Sequence, residues 1–457
     1  MSGRSYATNI WHLTESLTIA MKLDGVAAVF SALTAVAWLL ALIYSVEYMS
    51  HSQNEARFYV FLFLSEGMLL GTALSADFVS MYVFYELTSL CSMPLVLHEL
   101  THDAVTGAMK YLYYSIGGAF FVLFGIVVLY TNTSTLDFAP GGTLIAGQHT
   151  GLELLAVFFV VLGFGTKAGL FPMHTWLPDA HSQAPSPVSA LLSGVLLKCA
   201  MLVIIRFYSL SIITVGDTYP RTLLLILGTL SMLVAALCIF KQDDIKRRFA
   251  YSSVDNVGVV ALCLGIGGPL GIAACLLHCI FHGFTKALAF CMAGNIQHIY
   301  HTRDLNKIKG VVEIAPVTAA LTIIALLALA AFPPFALFIS EFLTFVAGVQ
   351  SGPIWVVVLV AIGLTGVYFA LTGIALKSIF GKAPEGMKRH EVPALMIIPE
   401  IALAIVVMWF GIATPVAITS GVEDATSVVL NQSVEELHEA PLYRMVFSSQ
   451  TKTSEVN

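Results

Sequence analysis

The sequence predicts an all-α integral membrane protein of about twelve transmembrane helices, built as two inverted five-helix repeats that each contain one broken helix. Three observations carry this. The 457 residues are 58% hydrophobic and only 11% charged, with a mean hydropathy of +0.86. Soluble domains carry about twice that charged fraction, and so few charges cannot cover a water-soluble fold of this size. Apolar runs of about 20 residues, the length that crosses a bilayer, recur along the chain. The basic residues between them fall on alternate loops.

The runs lie near 25–48, 57–76, 77–98, 105–130, 151–170, 185–211, 221–240, 248–267, 269–296, 312–350, 353–377 and 392–414. The first and last flank the repeats. The first 24 residues form a segment outside the cytoplasm. They show no basic stretch leading into an apolar one, so no cleavable signal peptide is expected. Residues 415–457 read as a polar, peripheral tail.

Two stretches are too long for one straight helix. One spans 151–182 and contains Phe171-Pro172; the other spans 312–350 and contains Pro333-Pro334. Proline removes a backbone donor and clashes with the preceding turn. Freed backbone groups at membrane depth survive only against protein or water. Two broken helices therefore point to a transport pathway, with water expected at the breaks; simple kinks are the alternative.

Twelve spans put both termini on one side. One set of loops then holds Arg57, Lys110, Lys241, Lys246, Arg247, Arg248, Arg303, Lys307, Lys309, Lys377, Lys382, Lys388 and Arg389. The other holds Arg4, Lys22, Arg221, Arg444 and Lys452. The positive-inside rule assigns the first set to the cytoplasm and both termini to the outside. Helices two to six cover 57–211 and helices seven to eleven cover 221–377, each set with its broken helix fourth. Five is odd, so the second set runs in the opposite sense.

Charges inside a membrane are costly and functional by default. Here they are Glu86, Lys167, Lys198, Lys286 and Glu341. His278 and His282 precede Lys286 by eight and four residues, which places all three near one helix face. Histidine titrates near neutral pH, and a lysine deprived of water releases its proton more readily. Such a stripe suits a proton relay. Each residue also has a structural alternative. Glu86 and Lys167 suit a static buried ion pair, the histidines suit hydrogen bonds between helices, and Glu341 suits capping of the second break. Glu66 lacks a nearby charge. His174, Asp179 and His181 follow the first break and read either as a proton-access funnel or as loop polarity.

No metal site and no cofactor are expected. The seven cysteines form no CxxC pair and lie within apolar stretches, as packing thiols do. There is no nucleotide loop and no basic block for nucleic acid.

At these residues the chain resembles the antiporter-like proton-conducting subunits of respiratory complex I, of Mrp-type cation/proton antiporters and of energy-converting hydrogenases. The likeness runs from about Leu23 to about Pro415. It is carried by TKAGLFPMHTWLPDAHSQAPSPVSALLSGVLLK (166–198), DIKRRFAYSSVDNVG (244–258) and LLHCIFHGFTKALAF (276–290). It implies that Glu86 pairs with Lys167 and that Lys198 is the central relay lysine. It also implies that Lys286 with His278 and His282 serves a second half-channel, and that Glu341 is the acidic exit. Relatives begin with two further helices, and at 254–258 they often carry an acidic–histidine pair where this chain reads VDNVG.

The expected function is proton translocation, with sodium as the alternative ion, by one membrane subunit of a larger oxidoreductase complex. The chain itself does no redox chemistry. Other membrane subunits and the lipid bilayer are the expected partners, in the cell membrane. An Mrp-type antiporter subunit and a non-conducting scaffold are the rival readings.

Overall fold

The computed structural model describes residues 6–12, 14, 18–50, 52–133, 138 and 151–447. A hairpin of β1 (Tyr6–His12) and β2 (Thr18–Leu23) comes first, followed by α1 (Gly25–Tyr48), α2 (Glu55–Leu74), α3 (Phe78–Val96) and α4 (His102–Thr133). α5 (Gly151–Ala168) leads through a 3-10 turn at Met173–Thr175 to α6 (Trp176–Gln183). α7 (Ser186–Leu191) passes through a π turn (Leu192–Leu196) into α8 (Leu197–Thr214). Next come α9 (Thr218–Ile239), α10 (Ile245–Ile266), α11 (Gly268–Tyr300), α12 (Val311–Ile314), α13 (Pro316–Leu329) and α14 (Ala336–Ser351). α15 (Ile354–Ile374) ends in a second π turn (Ala375–Ile379), and α16 (Ala394–Ile412), α17 (Val416–Leu430), α18 (Val434–Leu437) and α19 (Pro441–Phe447) complete the chain.

Among the described residues, eleven helical stretches are long and apolar enough to cross a membrane. The run expected at 312–350 instead holds two shorter apolar helices, α13 and α14. The outer helices turn large apolar side chains outward. Leu237 is 73% exposed and Phe120 66% exposed, a surface that lipid covers and water would penalise. α11 and the stretch 186–212 are enclosed by protein.

Both breaks occur near the expected prolines, and at the first the protein's own side chains reach freed backbone groups. At the first break Gly169 adopts a left-handed φ of 82°. The freed Phe171 amide donates to the Ser231 hydroxyl of α9 at 2.8 Å, and the Thr166 carbonyl accepts from the Trp176 indole at 2.8 Å. Side chains thus satisfy these backbone groups.

The ends of the chain hold more structure than its polarity suggested. β2 is stitched to the start of α3, where Ala20 donates to the Ser80 hydroxyl at 2.9 Å. The all-α reading missed this hairpin because its alternation is short and β1 is exposed throughout. The tail forms α17, whose Val422, Ala425, Thr426 and Val429 are buried against the bundle.

Asp24 caps α1 by accepting from the Ala27 amide at 3.0 Å. It also takes both guanidinium nitrogens of Arg206 at 2.6 and 2.7 Å, with each side chain 5% exposed. This fork ties the start of α1 to the middle of α8. Removing one partner of such a pair leaves a buried charge at a cost of about 3–5 kcal/mol. Arg206→Ala is therefore expected to lower the thermal unfolding midpoint of the purified protein clearly. An unchanged midpoint would contradict this role.

Candidate ion-relay site

Lys167 is the penultimate residue of α5, turned toward α3. Its ammonium donates to Glu86 Oε1 and to the Tyr85 carbonyl, each at 2.8 Å, and sits 3.7 Å from the Tyr85 ring centroid. The lysine side chain is 3% exposed and the glutamate 23%. Glu86 therefore stands at the rim of the bundle, with Lys167 inside it.

Lys198 follows the π turn at the start of α8. π turns are rare and recur at functional sites, because the extra residue re-aims the side chains after it. Here the turn also brings two backbones together. A Cβ added to Gly194 would meet the Gly283 carbonyl at 2.8 Å, and one added to Gly283 would meet the Gly194 carbonyl at 2.8 Å. Only a pair of residues without Cβ allows α11 this close to the turn. Lys198 consequently lies beside Cys275 and Cys279 and within electrostatic reach of His278, His282 and Lys286. It is fully buried, and its Nζ has no hydrogen-bond partner among the described residues.

The histidine stripe forms as its spacing predicts. The rings of His278 and His282 stack with centroids 5.8 Å apart and planes 12° apart. His278 is held at both nitrogens, by Ser340 Oγ at 3.0 Å and Asn256 Oδ1 at 3.1 Å. His282, between Lys198 and Lys286 in the electrostatic cluster, has both nitrogens without a partner among the described residues. Lys286 donates to the Phe249 carbonyl at 2.8 Å and to the Ser252 hydroxyl. Glu341 is half-buried on α14, next in sequence to the Ser340 that holds His278.

The three residues after the first break do not form an open funnel. Asp179 alone is only partly buried, bridging Lys110 at 2.6 Å and Arg247 at 2.5 Å. His174 is 5% exposed, its ring 6.0 Å from that of Phe171. His181 is fully buried and stacks on Phe290 with centroids 4.9 Å apart. It lies within electrostatic reach of Lys246 and Lys286. Glu66 is half-buried in α2.

Several polar residues of the interior escaped sequence reasoning. Asp255, Ser252 and Asn256 lie on α10 and look like ordinary polarity within a helix. Read as a face, Phe249, Ser252 and Asn256 recur at intervals of three and four, and that was the available signal. Glu400 is fully buried on α16, where its Oε2 accepts from Asn295 at 2.8 Å, and Tyr44 donates to Asn295 Oδ1 at 3.0 Å. Among the described residues no cluster of three or more His, Cys, Asp or Glu is placed to hold a metal ion. All seven cysteines are free thiols.

The family profile described as NADH:quinone oxidoreductase/Mrp antiporter, TM, matches residues 75–365, more than half the chain and nearly all of this cluster. The chain belongs to that family. A second profile, described as NADH-ubiquinone oxidoreductase (complex I), chain 5 N-terminus, matches residues 11–59. Na(+)/H(+) antiporter subunit A1 of Staphylococcus haemolyticus (strain JCSC1435) is 30% identical over 93% of this chain and 56% of the relative. The protein of the same name from Staphylococcus aureus (strain NCTC 8325 / PS 47) is also 30% identical, over 96% and 58%. The chain thus spans little more than half the length of these curated relatives.

Among solved structures, a chain of the Mrp complex from Dietzia sp. DQ12-45-1b matches with a TM-score of 0.83 at 19% identity, covering 95% of this chain and 89% of that one. A chain of the membrane-bound sulfane sulfur reductase, an archaeal respiratory membrane complex, matches with a TM-score of 0.86 at 24% identity, covering 94% and 87%. Both show that the multi-pass membrane fold is shared.

The Glu86–Lys167 contact predicts a pattern of stabilities. Replacing one member leaves the other without its countercharge, whereas replacing both removes the conflict. Glu86→Gln and Lys167→Met are each expected to lower the unfolding midpoint more than the double substitution does. Losses that simply add would show that the two charges do not stabilise one another.

Proposed function

We propose that this chain is an ion-translocating subunit of a multisubunit membrane complex, passing protons along Lys167, Lys198, His282, Lys286 and Glu341. One observation carries the reading. Lys198 is fully buried with its Nζ unpartnered among the described residues, within electrostatic reach of an equally buried His282 whose two nitrogens are likewise unpartnered among them. A structural lysine or histidine at that depth is held by acceptors. Groups free to bind and release protons, placed between hydrogen-bonded neighbours, are what a relay requires.

Orientation and internal symmetry belong to the same proposal. Loops that carry the basic residues are tied together: the Ile245 amide donates to the Arg303 carbonyl at 3.0 Å and Leu305 to Asp243 at 2.8 Å. This face is cytoplasmic in the proposal, with both termini on the other. Two features support the inverted repeat. Each five-helix set has its broken helix fourth, and the fifth helix of each set carries a π turn, at Leu192–Leu196 and at Ala375–Ile379.

Two complexes remain as hosts. The curated relatives are named Na(+)/H(+) antiporter subunits, which favours a cation/proton antiporter over a redox-driven pump. Proton flux that needs a sodium gradient and no electron donor supports the antiporter; flux that needs the donor supports the pump.

The relay itself is tested by Lys198→Ala in the whole complex reconstituted in proteoliposomes. Removing a relay group is expected to lower proton uptake by about 100-fold or more, with assembly preserved. Uptake at the unaltered level would overturn the proposal.

A further inference from the structure

Asp255 lies in the middle of α10 with 1% of its surface exposed. No arginine or lysine forms an ion pair with it among the described residues. Its Oδ2 has only a long contact, 3.5 Å, with the amide of Asn256, and its Oδ1 has no hydrogen-bond partner. A carboxyl group held this deep without donors is costly when charged.

Its neighbours suggest what it does. Ser252, one turn earlier on α10, accepts from Lys286. An ammonium has three donors; the Phe249 carbonyl and the Ser252 hydroxyl take two of them, which leaves one. Lys286 acts electrostatically on Asp255, and Asp255 acts on Glu341. Asp255 therefore lies on α10 within one turn of the Ser252 that holds Lys286, and within electrostatic reach of both Lys286 and Glu341. Its sequence neighbour Asn256 grips His278, whose other nitrogen is held by Ser340, the residue before Glu341. In the proposed repeat, Asp255 sits on the second helix of its set, as Glu86 does on the second helix of the first.

We infer that Asp255 is a proton-carrying residue that takes the proton from Lys286 and passes it toward Glu341. In this step one N–H bond of the Lys286 ammonium breaks and an O–H bond forms at Asp255 Oδ1, directly or through one water. An ammonium and a carboxylate become a neutral amine and a neutral acid. The proton then moves on to the Glu341 carboxylate, and Asp255 regains its charge as Lys286 is reloaded from the His282 side. Ser252 and the Phe249 carbonyl hold the lysine nitrogen in place throughout. The inference rests on the relay proposed above.

The test uses the complete complex in proteoliposomes, with Lys198→Ala measured alongside. Asp255→Asn keeps the shape and removes the acid; proton uptake is expected to fall at least about tenfold. Asp255→Glu is expected to recover a substantial part of it. The double variant Asp255→Asn with Lys286→Ala should be no worse than Lys286→Ala alone, because both lie on one path. Unaltered uptake in Asp255→Asn, while Lys198→Ala stays inactive, overturns this step and leaves the relay standing. Unaltered uptake in Lys198→Ala overturns the relay itself. Should Asp255→Asn fail to assemble, infrared difference spectra of the unaltered complex carrying isotope-labelled aspartate decide. An aspartate carboxyl band that appears during turnover and is lost in Lys286→Ala supports the step; no such band overturns it.

Discussion

α11 is enclosed by protein along nearly its whole length, and it carries His278, His282 and Lys286 on one face. Neither water nor lipid headgroups reach these side chains from outside. Each charge at such depth costs about 2.5–3.5 kcal/mol on insertion scales, so its neighbours must supply the polarity that solvent would. α10 supplies it to Lys286 through Phe249 and Ser252, and α10 and α14 together supply it to His278 through Asn256 and Ser340. The packing of these helices on α11 follows from that need as much as from apolar burial.

The same constraint gives meaning to the groups left unsupplied. Lys198, His282 and Asp255 are as deeply buried as their neighbours, yet each has a nitrogen or oxygen without a partner among the described residues. Well-held groups lie on the same helices: Lys286 and His278 on α11, gripped by Ser252 and Asn256 of α10. In the proposed path a proton passes from one of these groups to the next. Close approach makes this possible. The Gly194–Gly283 contact removes the side-chain layer that normally separates two helices, at the π turn that immediately precedes Lys198.

Much of this was legible in the chain. Hydropathy located the helices within a few residues, and proline located both breaks. Helical spacing aligned His278, His282 and Lys286, whose histidine rings do stack. The motif around Lys167 pointed to Glu86, and the two are in contact. What stayed hidden depends on contacts across the bundle. Nothing local in WLPDAH shows that Asp179 sits half-buried between two cations while His181, two residues on, is sealed against Phe290. Asp255 and Glu400 sit in runs whose polarity suggested nothing unusual, and their burial appears only once the surrounding helices are in place. The β-hairpin and the packing of α17 were missed because short amphipathic segments give little periodic signal.

The central claim is that Lys198 and Lys286 serve one continuous path through His282. Proton uptake by the reconstituted complex, compared for Lys198→Ala, Lys286→Ala and the double variant, tests it most directly. A single path predicts that the double variant is no slower than the slower single one. Losses that add in the logarithm of the rate would mean two independent channels, and would contradict the account.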